Sequence, residues 1–599
     1  MQSLSVAKVL ASLSLVCFAL ATFIVVLTPS STGYEISIYQ VYNSYLWLLL
    51  SFGILAGITS LVVGAPTRST LGFFPLALNN FLIVSLWVFR GYAVYGRFDT
   101  LGHVGYMKDI VDTGHFSNMN FYPVLHIFGA ILSYTIHADI LLIMKIVPMI
   151  FLGFYMLSIY LLSRTVTESW MQLVSVMMFS LPIFFGPELP MFLPRIESFL
   201  LIPFVFYLML RIQARDQARR RVYIVLLFIL SFLITYMHPL TALIIVLMLL
   251  SFTIPSKFLG MQALLSRRKN RVIENGQRLK SLFLRFEATA ILVAFFSWML
   301  NFSNLGDRIR IIVDWLVYQK GESQLELFTS LAAHLYLRDS IEVILRSLGQ
   351  YVILIGLGIA ASFELIIRTR SLVSSRLVMR ILFLTLFLEF LAITGAFFVT
   401  GFSLEFNRGM IYVVLTAALL NGLHFAPQKL EFNRVRVRKL AIAIFIMILT
   451  SCAVVIAVFN IYPSPQTKSY NQQVTYSELR GWRWMIYHGD LALPIDDIRL
   501  NQLWFARAIM GTMGYLESFR PGSFPPDHFR YDPHADPTIH GDRYLVIGAI
   551  SKAYYPAVLP DRQELWKFTE SDFSMLLNSS ALRIYENGEF EAYIIRIKA

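Results

Sequence analysis

Charged residues are scarce in this chain. Only 15% of its 599 residues are Asp, Glu, Lys or Arg, whereas 57% are hydrophobic. The mean hydropathy is +0.63, far above the value of a soluble protein. The composition therefore excludes a soluble fold and indicates a polytopic α-helical membrane protein.

Cysteine is nearly absent, and acidic residues are fewer than basic ones. Cys17 and Cys452 both lie inside apolar segments, so neither a disulfide framework nor a cysteine metal site is available. The formal net charge is +13. In a soluble protein this excess would suggest nucleic acid, but here the basic residues cluster in short loops between apolar segments, which is the pattern of membrane orientation. We therefore expect no nucleic-acid partner.

The common catalytic signatures are also missing. No GxSxG, HExxH, Walker or GxGxxG pattern stands in a suitable context, so we expect no nucleotide cofactor. The sequence has no internal repeat of the kind found in many secondary transporters. Function must therefore be sought in isolated polar residues between the apolar segments.

The apolar segments predict about 13 membrane spans. Windows of about 20 apolar residues place them at residues 7–27, 43–63, 71–89, 139–162, 170–186, 195–211, 222–238, 239–254, 286–302, 347–367, 381–400, 410–426 and 439–461. The basic loops then all fall on one side, which the positive-inside rule assigns to the cytoplasm together with the N-terminus. The first span is longer than the apolar core of a signal peptide, so we expect it to be retained.

This arrangement predicts three parts. Residues 1–70 carry two N-terminal spans, residues 71–461 form the main transmembrane domain with a large external loop at 90–138, and residues 462–599 form an extracytoplasmic domain. Within the external loop, Phe121–Ala138 contains Pro123, His126 and His137, so we expect an interfacial helix there rather than a span.

Two further external segments have helical patterns. In the loop Ser303–Arg346, "IRIIVDWLVYQ" and "LELFTSLAAHLYL" predict amphipathic helices, which serve either as a lid or as structural surface helices. In the C-terminal domain, "YSELRGWRWMIYHG" and "LNQLWFARAIMGTMGYLE" predict helices, "RYLVIGAI" a strand, and "LRIYENGEFEAYIIRI" a hairpin that turns at Asn587 and Gly588. We therefore expect a small mixed α/β fold.

One polar stretch, Gly96–Leu132, interrupts this apolar chain. Asp99, His103 and Tyr106 recur at i, i+4 and i+7, so they share one stripe of an amphipathic helix. We expect this helix on the membrane surface, with the polar stripe turned toward a partner or a cavity. Asp99 opens that helix and is either a functional carboxylate or an N-cap. His103 follows one turn later and is either a partner of Asp99 in binding a cation or moving a proton, or an ordinary helix-surface histidine.

Other polar residues stand at the external mouths of spans. Arg195 with Glu197, and Arg408 with Glu405, are placed to clamp a lipid phosphate or to anchor the chain at the headgroups. His238 precedes a proline at an external hairpin, where a turn is the alternative to a substrate contact.

Taken in order, these segments resemble the GT-C superfamily of membrane glycosyltransferases, in its archaeal and bacterial dolichyl-phosphate-mannose-type branch. The resemblance rests on "GRFDTLGHVGYMKDIVDTGHF", "NFYPVLHIFGAIL", "YMLSIYLLSRTV", "PRIES", "HPLTAL", "EFNRGMIYV" and "YENGEFEAY". It departs from the family in having two extra spans before the key loop, no second acid directly after Asp99 and no WWDYG-like motif.

The resemblance implies a function and a set of site residues. It implies an inverting transfer of a sugar, such as the hexose mannose, from a polyprenyl-phosphate donor to a hydroxyl of a glycan, lipid or protein acceptor. Asp99 would act as general base or, with His103, would hold a divalent cation such as Mg or Mn. We expect the remaining marked residues to bind substrate: Tyr106, Tyr122, His126, Arg195, Glu197, His238, Glu405 and Arg408.

Two other functions remain open. A polymerase or ligase of lipid-diphosphate glycans would also use external arginines but would not need Asp99. A lipid or glycan transporter predicts paired ionisable residues at the bilayer midplane, and only Glu389 has that position.

Overall fold

The structure is a computed structural model. It describes residues 2–68, 70–167, 169–213, 217–252, 271–302, 306, 310, 337–368, 375–400, 403–425, 435–531, 541–576 and 581–597. The two amphipathic helices predicted in the loop Ser303–Arg346 lie almost wholly outside these residues, so both stay predictions.

The apolar segments form helices, because a helix satisfies every backbone hydrogen bond inside the segment where no water is available. Their bounds are Gln2–Leu27, Ser44–Gly64, Phe73–Phe89, Ile140–Val166, Trp170–Phe179, Pro194–Leu200, Ile202–Gln213, Gln217–Met237, Pro239–Ser251, Arg271–Met299, Leu337–Arg368, Ser375–Thr400, Ser403–His424 and Val435–Val458. Seven helices of the described part are long and apolar enough to cross a membrane. The polytopic fold is thus confirmed, and the count of 13 spans stays a prediction.

The external loop contains two helices. The first, which we call the site helix, spans Asp99–Thr113. The second spans Pro123–Ile136 and has 14 residues. At about 1.5 Å per residue this second helix extends about 21 Å, which is too short to cross a bilayer core of about 30 Å. This length agrees with the predicted interfacial position.

Contacts between loops define the two ends of the bundle. At one end, Trp298 Nε1 donates to the Phe121 carbonyl at 2.7 Å, which brings the helix Arg271–Met299 to the external loop. At the other end, Arg380 donates to the Leu423 carbonyl at 3.1 Å. Arg380 is one of the basic residues that were predicted to be cytoplasmic. Its partner Leu423 lies about 22 Å along the helix Ser403–His424 from Arg408, which stands at the other end of that helix.

The C-terminal residues form the expected α/β fold. A four-stranded sheet has the order Ile495–Asp497, Arg543–Gly548, Phe590–Ile595 and Leu582–Glu586, and only its first pair is parallel. Helices span Tyr476–His488, Gln502–Ser518, Ala549–Val558 and Glu570–Leu576. The two predicted helices, the predicted strand and the predicted hairpin are all present. The strand Ile495–Asp497 was not predicted, because three residues are too few to show an alternating pattern.

This C-terminal fold is joined to the external loop. Val94 pairs with Val474 in a short antiparallel ladder. Next to it, the buried Arg97 guanidinium donates to the Glu478 carboxylate in an ion pair. Removing either partner of such a buried pair would leave an uncompensated charge, so the two segments depend on each other.

The site helix is packed against the C-terminal domain. Its apolar residues Leu101, Val104 and Met107 are buried in a cluster shared with the C-terminal domain. On the side of that domain, Cβ atoms at Gly102 and Gly105 would lie 2.6 Å from the Trp504 ring and 2.5 Å from the Arg507 carbonyl oxygen. Only glycine allows this close approach, so the partner expected beside the site helix is the C-terminal domain.

Candidate functional site

Asp99 stands at the start of the site helix without serving as its cap. Phe98 occupies the N-cap position, and no side-chain hydrogen bond caps the helix. Asp99 is half-buried and makes no hydrogen bond with any residue in the described part of the chain. The alternative interpretation of Asp99 as an N-cap is therefore wrong. Its carboxylate remains available for another partner.

His103 and His126 form a buried pair beside it. Their rings stack at a centroid distance of 5.1 Å, and His103 Nδ1 lies 3.0 Å from His126 Nε2. His126 Nδ1 in turn lies 3.0 Å from Asn120 Nδ2. Tyr106 and Tyr122 place their rings 5.2 Å and 5.9 Å from that of His126. Four residues predicted on the external loop thus meet in one cluster.

The pair is neutral, and Asn120 sets its tautomers. Burial, together with the smaller effects of Arg195 and His238, lowers the pKa of His103 to about 3. One proton therefore lies between the two rings. If Asn120 donates to His126, then His126 donates to His103, and Nε2–H of His103 is left as a donor. If Asn120 accepts, the order reverses and Nε2 of His103 becomes an acceptor.

Glu188 is an acidic residue that pairs with one of the predicted arginines. Arg195 Nη2 donates to Glu188 Oε1 at 2.5 Å. Burial raises the pKa of Glu188, the charges of Arg195 and Arg408 oppose this rise, and the charge of Asp99 adds to it. Because all three charges act on one carboxyl group, Asp99, Arg195 and Arg408 lie within electrostatic reach of Glu188.

His238 borders the same cluster. The charges of Arg408 and Arg195 both act on its ring. Its Nδ1 accepts from the Thr241 backbone amide at 3.3 Å, and Pro239 is the first residue of the next helix. The predicted turn is therefore present, and it holds the ring at the mouth of the site.

One predicted residue stabilises its own helix, and the side chain of another lies outside the described residues. Glu197 is fully buried and accepts from the Leu193 backbone amide at 3.0 Å, so it stabilises the first turn of its own helix. Glu405 lies on the helix Ser403–His424, and its side chain is outside the described residues.

Sequence reasoning missed Glu188 and Asn120. Glu188 follows the first proline of "GPELPMFLPRIES", seven residues before Arg195. An acidic residue seven positions before an arginine, in a loop bounded by prolines between two apolar segments, could have been predicted to pair with that arginine. Asn120 gave no such signal, because an asparagine before an aromatic-proline pair is ordinary turn chemistry.

The residues fit a divalent cation poorly. Asp99 and His103 supply two ligands, whereas Mg²⁺ is held octahedrally through oxygen atoms. His103 is also committed to His126 through Nδ1, and Arg195 opposes a second positive charge. In the described part of the chain, no group of three or more His, Cys, Asp or Glu residues is arranged to hold a metal ion. Mg or Mn at Asp99 and His103 stays a prediction, and no step below passes through it.

Comparisons with known proteins return structural neighbours alone. No family model and no curated protein matches the chain. ArnT from Cupriavidus metallidurans bound to undecaprenyl phosphate is similar, with a TM-score of 0.43 and 10% identity over 87% of this chain and 97% of that one. The same protein in the apo state gives 0.42 and 10% over 88% and 98%.

Proposed function

We propose that this chain is a GT-C-type membrane glycosyltransferase that moves a hexose, such as mannose, from a polyprenyl-phosphate donor to an acceptor hydroxyl. The observation that carries the proposal is the ion pair of Arg195 with Glu188, a carboxyl group on which the charges of Asp99 and Arg408 also act. A carboxylate without a hydrogen-bond partner among the described residues thus shares one site with two guanidinium groups. Proton removal and phosphate binding need these two kinds of group in one place.

The reaction is a single displacement. Asp99 removes the proton of the acceptor hydroxyl while the oxygen attacks C1 of the sugar from the face opposite the phosphate. The new C1–O bond forms as the C1–O bond to the phosphate breaks, so the configuration inverts and the bonding electrons leave with the prenyl phosphate. Proton transfer of this kind is typically worth about 10²- to 10⁴-fold in rate.

The cations act on the leaving group. A departing phosphate gains charge in the transition state, so guanidinium groups placed beforehand stabilise it most at that point. Arg408 and Arg195 fill this role. His103 and His126 stay neutral, and the free Nε2 of His103 orients the reacting groups by a hydrogen bond.

The reaction takes place on the outer face of the cell membrane. The sequence places the basic loops on the other side of the membrane from the site residues, and the positive-inside rule makes that side cytoplasmic. The N-terminus is then cytoplasmic, and the C-terminal domain is extracytoplasmic.

Incubation of the purified protein with radiolabelled prenyl-phosphate hexoses tests the proposal. We expect the release of free prenyl phosphate and, with an acceptor, a product of inverted configuration at C1. Asp112→Asn is the matched control, because Asp112 lies on the same helix but is exposed and pairs with Lys108 at 2.6 Å. Donor left unchanged by the wild-type protein, with every hexose tried, would favour a lipid-diphosphate ligase or a transporter.

A further inference from the structure

Arg507 belongs to the C-terminal domain but lies against the site helix. Its carbonyl oxygen lies only 2.5 Å from where a Cβ atom of Gly105 would be. Its guanidinium carbon is 4.9 Å from the ring centroid of Trp504 and 5.1 Å from that of Tyr515. Two aromatic rings therefore fix the side chain in place.

This guanidinium makes no hydrogen bond or ion pair with any residue in the described ranges, and its Nε is buried without a partner. Arginine carries five donors that must be satisfied by water, protein or ligand. Stacking on aromatic rings leaves the planar edge of the group free, and that edge matches a phosphate or carboxylate in a two-point hydrogen bond. The side chain is thus held ready for an anion.

The position of Arg507 relative to Asp99 suggests which anion. Successive residues of a helix are about 100° apart, so Asp99, His103 and Tyr106 form one stripe, and Gly102, Gly105 and Asp109 form the adjacent one that faces the C-terminal domain. Tyr106 lies near the border between them. Burial raises the pKa of Tyr106, the charge of Arg507 opposes the rise, and those of Asp109 and Asp99 add to it.

The charge of Asp99 thus acts together with those of Arg195 and Arg408 on Glu188, and together with that of Arg507 on Tyr106. Arg195 and Arg408 are on the side of the membrane bundle, where the proposed function places the donor phosphate. Arg507 is on the side of the C-terminal domain, which is left for the acceptor. An acceptor with an anionic group near its hydroxyl would place that group on Arg507 and the hydroxyl at Asp99.

We propose that Arg507 binds a phosphate group of the acceptor, so that the C-terminal domain completes the site and selects phosphorylated acceptors. This inference rests on the proposed function. Arg507 takes no proton and forms no covalent bond. Its effect is to orient the hydroxyl, which lowers KM for acceptors that carry the phosphate and raises their rate of transfer.

The test compares matched acceptors. Full-length protein in phosphatidylcholine nanodiscs receives a labelled prenyl-phosphate hexose. The soluble pair is glycerol and glycerol 1-phosphate, and the lipid pair is diacylglycerol and phosphatidylglycerol, which carries its phosphate as a diester in the headgroup. We expect kcat/KM for the phosphorylated member to be at least about tenfold higher, as expected for a charge-assisted hydrogen bond. A preference within the soluble pair would indicate a soluble acceptor, and a preference within the lipid pair would indicate a lipid acceptor.

Variants of Arg507 test whether this residue causes the preference for phosphorylated acceptors. Arg507→Gln should reduce the ratio within that pair to about one. Arg507→Lys keeps the charge but loses the planar fork, so it should raise KM for the phosphorylated acceptor and leave part of the preference. Arg499→Gln is the matched control, since Arg499 is an exposed arginine of the same domain, 4.6 Å from the ring centroid of Tyr554. It should leave the ratio unchanged.

The outcomes separate the two proposals. A wild-type protein that consumes no donor refutes the proposed function. Donor consumption without preference for either phosphorylated acceptor overturns the role of Arg507 alone. So does a preference that persists in Arg507→Gln. Thermal unfolding shows whether Arg507→Gln is folded, and if it is not, an unchanged KM in Arg507→Lys overturns the inference.

Discussion

Replacing Asp99 with asparagine separates catalysis from structure at the residue on which the mechanism depends. Asparagine has nearly the same shape, but its amide cannot accept a proton at neutral pH. Because Phe98 is the N-cap and Asp99 makes no capping bond, the substitution removes only a charge from the first helical turn. That charge is worth about 0.3–1 kcal/mol at an exposed site. We therefore expect the folded yield and thermal stability to stay close to the wild type.

The rate should respond very differently. Loss of a general base costs at least about a hundredfold, which corresponds to about 2.7 kcal/mol in the barrier. The assay is the initial rate of prenyl-phosphate release at saturating donor, and Asp99→Ala should be impaired to the same extent. Asp112→Asn, measured in parallel, should retain its rate. Near-normal turnover by well-folded Asp99→Asn would refute the displacement mechanism.

Three further predictions concern the phosphate clamp, the domain contact and the topology. Arg408→Lys keeps the charge but loses the planar fork, so KM for the donor should rise, and Arg408→Ala should raise it more. If KM for the donor is unchanged in both variants, Arg408 does not bind the donor phosphate and only anchors the chain at the headgroups. Burial raises the pKa of Asp109 to about 6, above about 3.9 in an unfolded chain, so the folded protein holds this proton longer and its stability should fall from pH 4 to pH 6. In Asp109→Asn this part of the pH dependence of thermal unfolding should disappear, and an unchanged slope would contradict the assignment. In a cysteine-free background, cysteines at the exposed positions Asn118 and Asp561 should react with an impermeant thiol reagent in intact cells, whereas one at Arg221 should not. The reverse pattern would move the site to the cytoplasm.

The grouping of Asp99, Arg195, His238 and Arg408 follows from the sequence because each residue borders an apolar segment on the same predicted side. Once the basic loops fix the sidedness of the spans, all four must stand at one end of the bundle. Hydropathy alone therefore brings together residues that are far apart in the chain. It cannot give their distances, which depend on how the helices pack.

The contacts that the site residues make with one another were harder to predict from the sequence. His103 and His126 are 23 residues apart and meet only because the site helix and Pro123–Ile136 pack on each other. The capping interpretation of Asp99 failed for a local reason. Capping statistics describe the residue before the first helical turn, and here the helix begins one residue earlier than that interpretation required.

The contact between the site helix and the C-terminal domain explains why the tail matters to the site. Asp109 accepts from the Thr512 backbone amide at 3.2 Å, directly after Gly511 breaks the helix Gln502–Ser518 with a φ of 78°. Gly105 meets Arg507 through the same face of the site helix. A displacement of the C-terminal helix would therefore change the surroundings of Asp109 and Tyr106 together. The sequence shows Gly102 and Gly105 as small residues three positions apart, but it does not show which segment approaches them. The contact of the site helix with the C-terminal domain could therefore be found only from the fold.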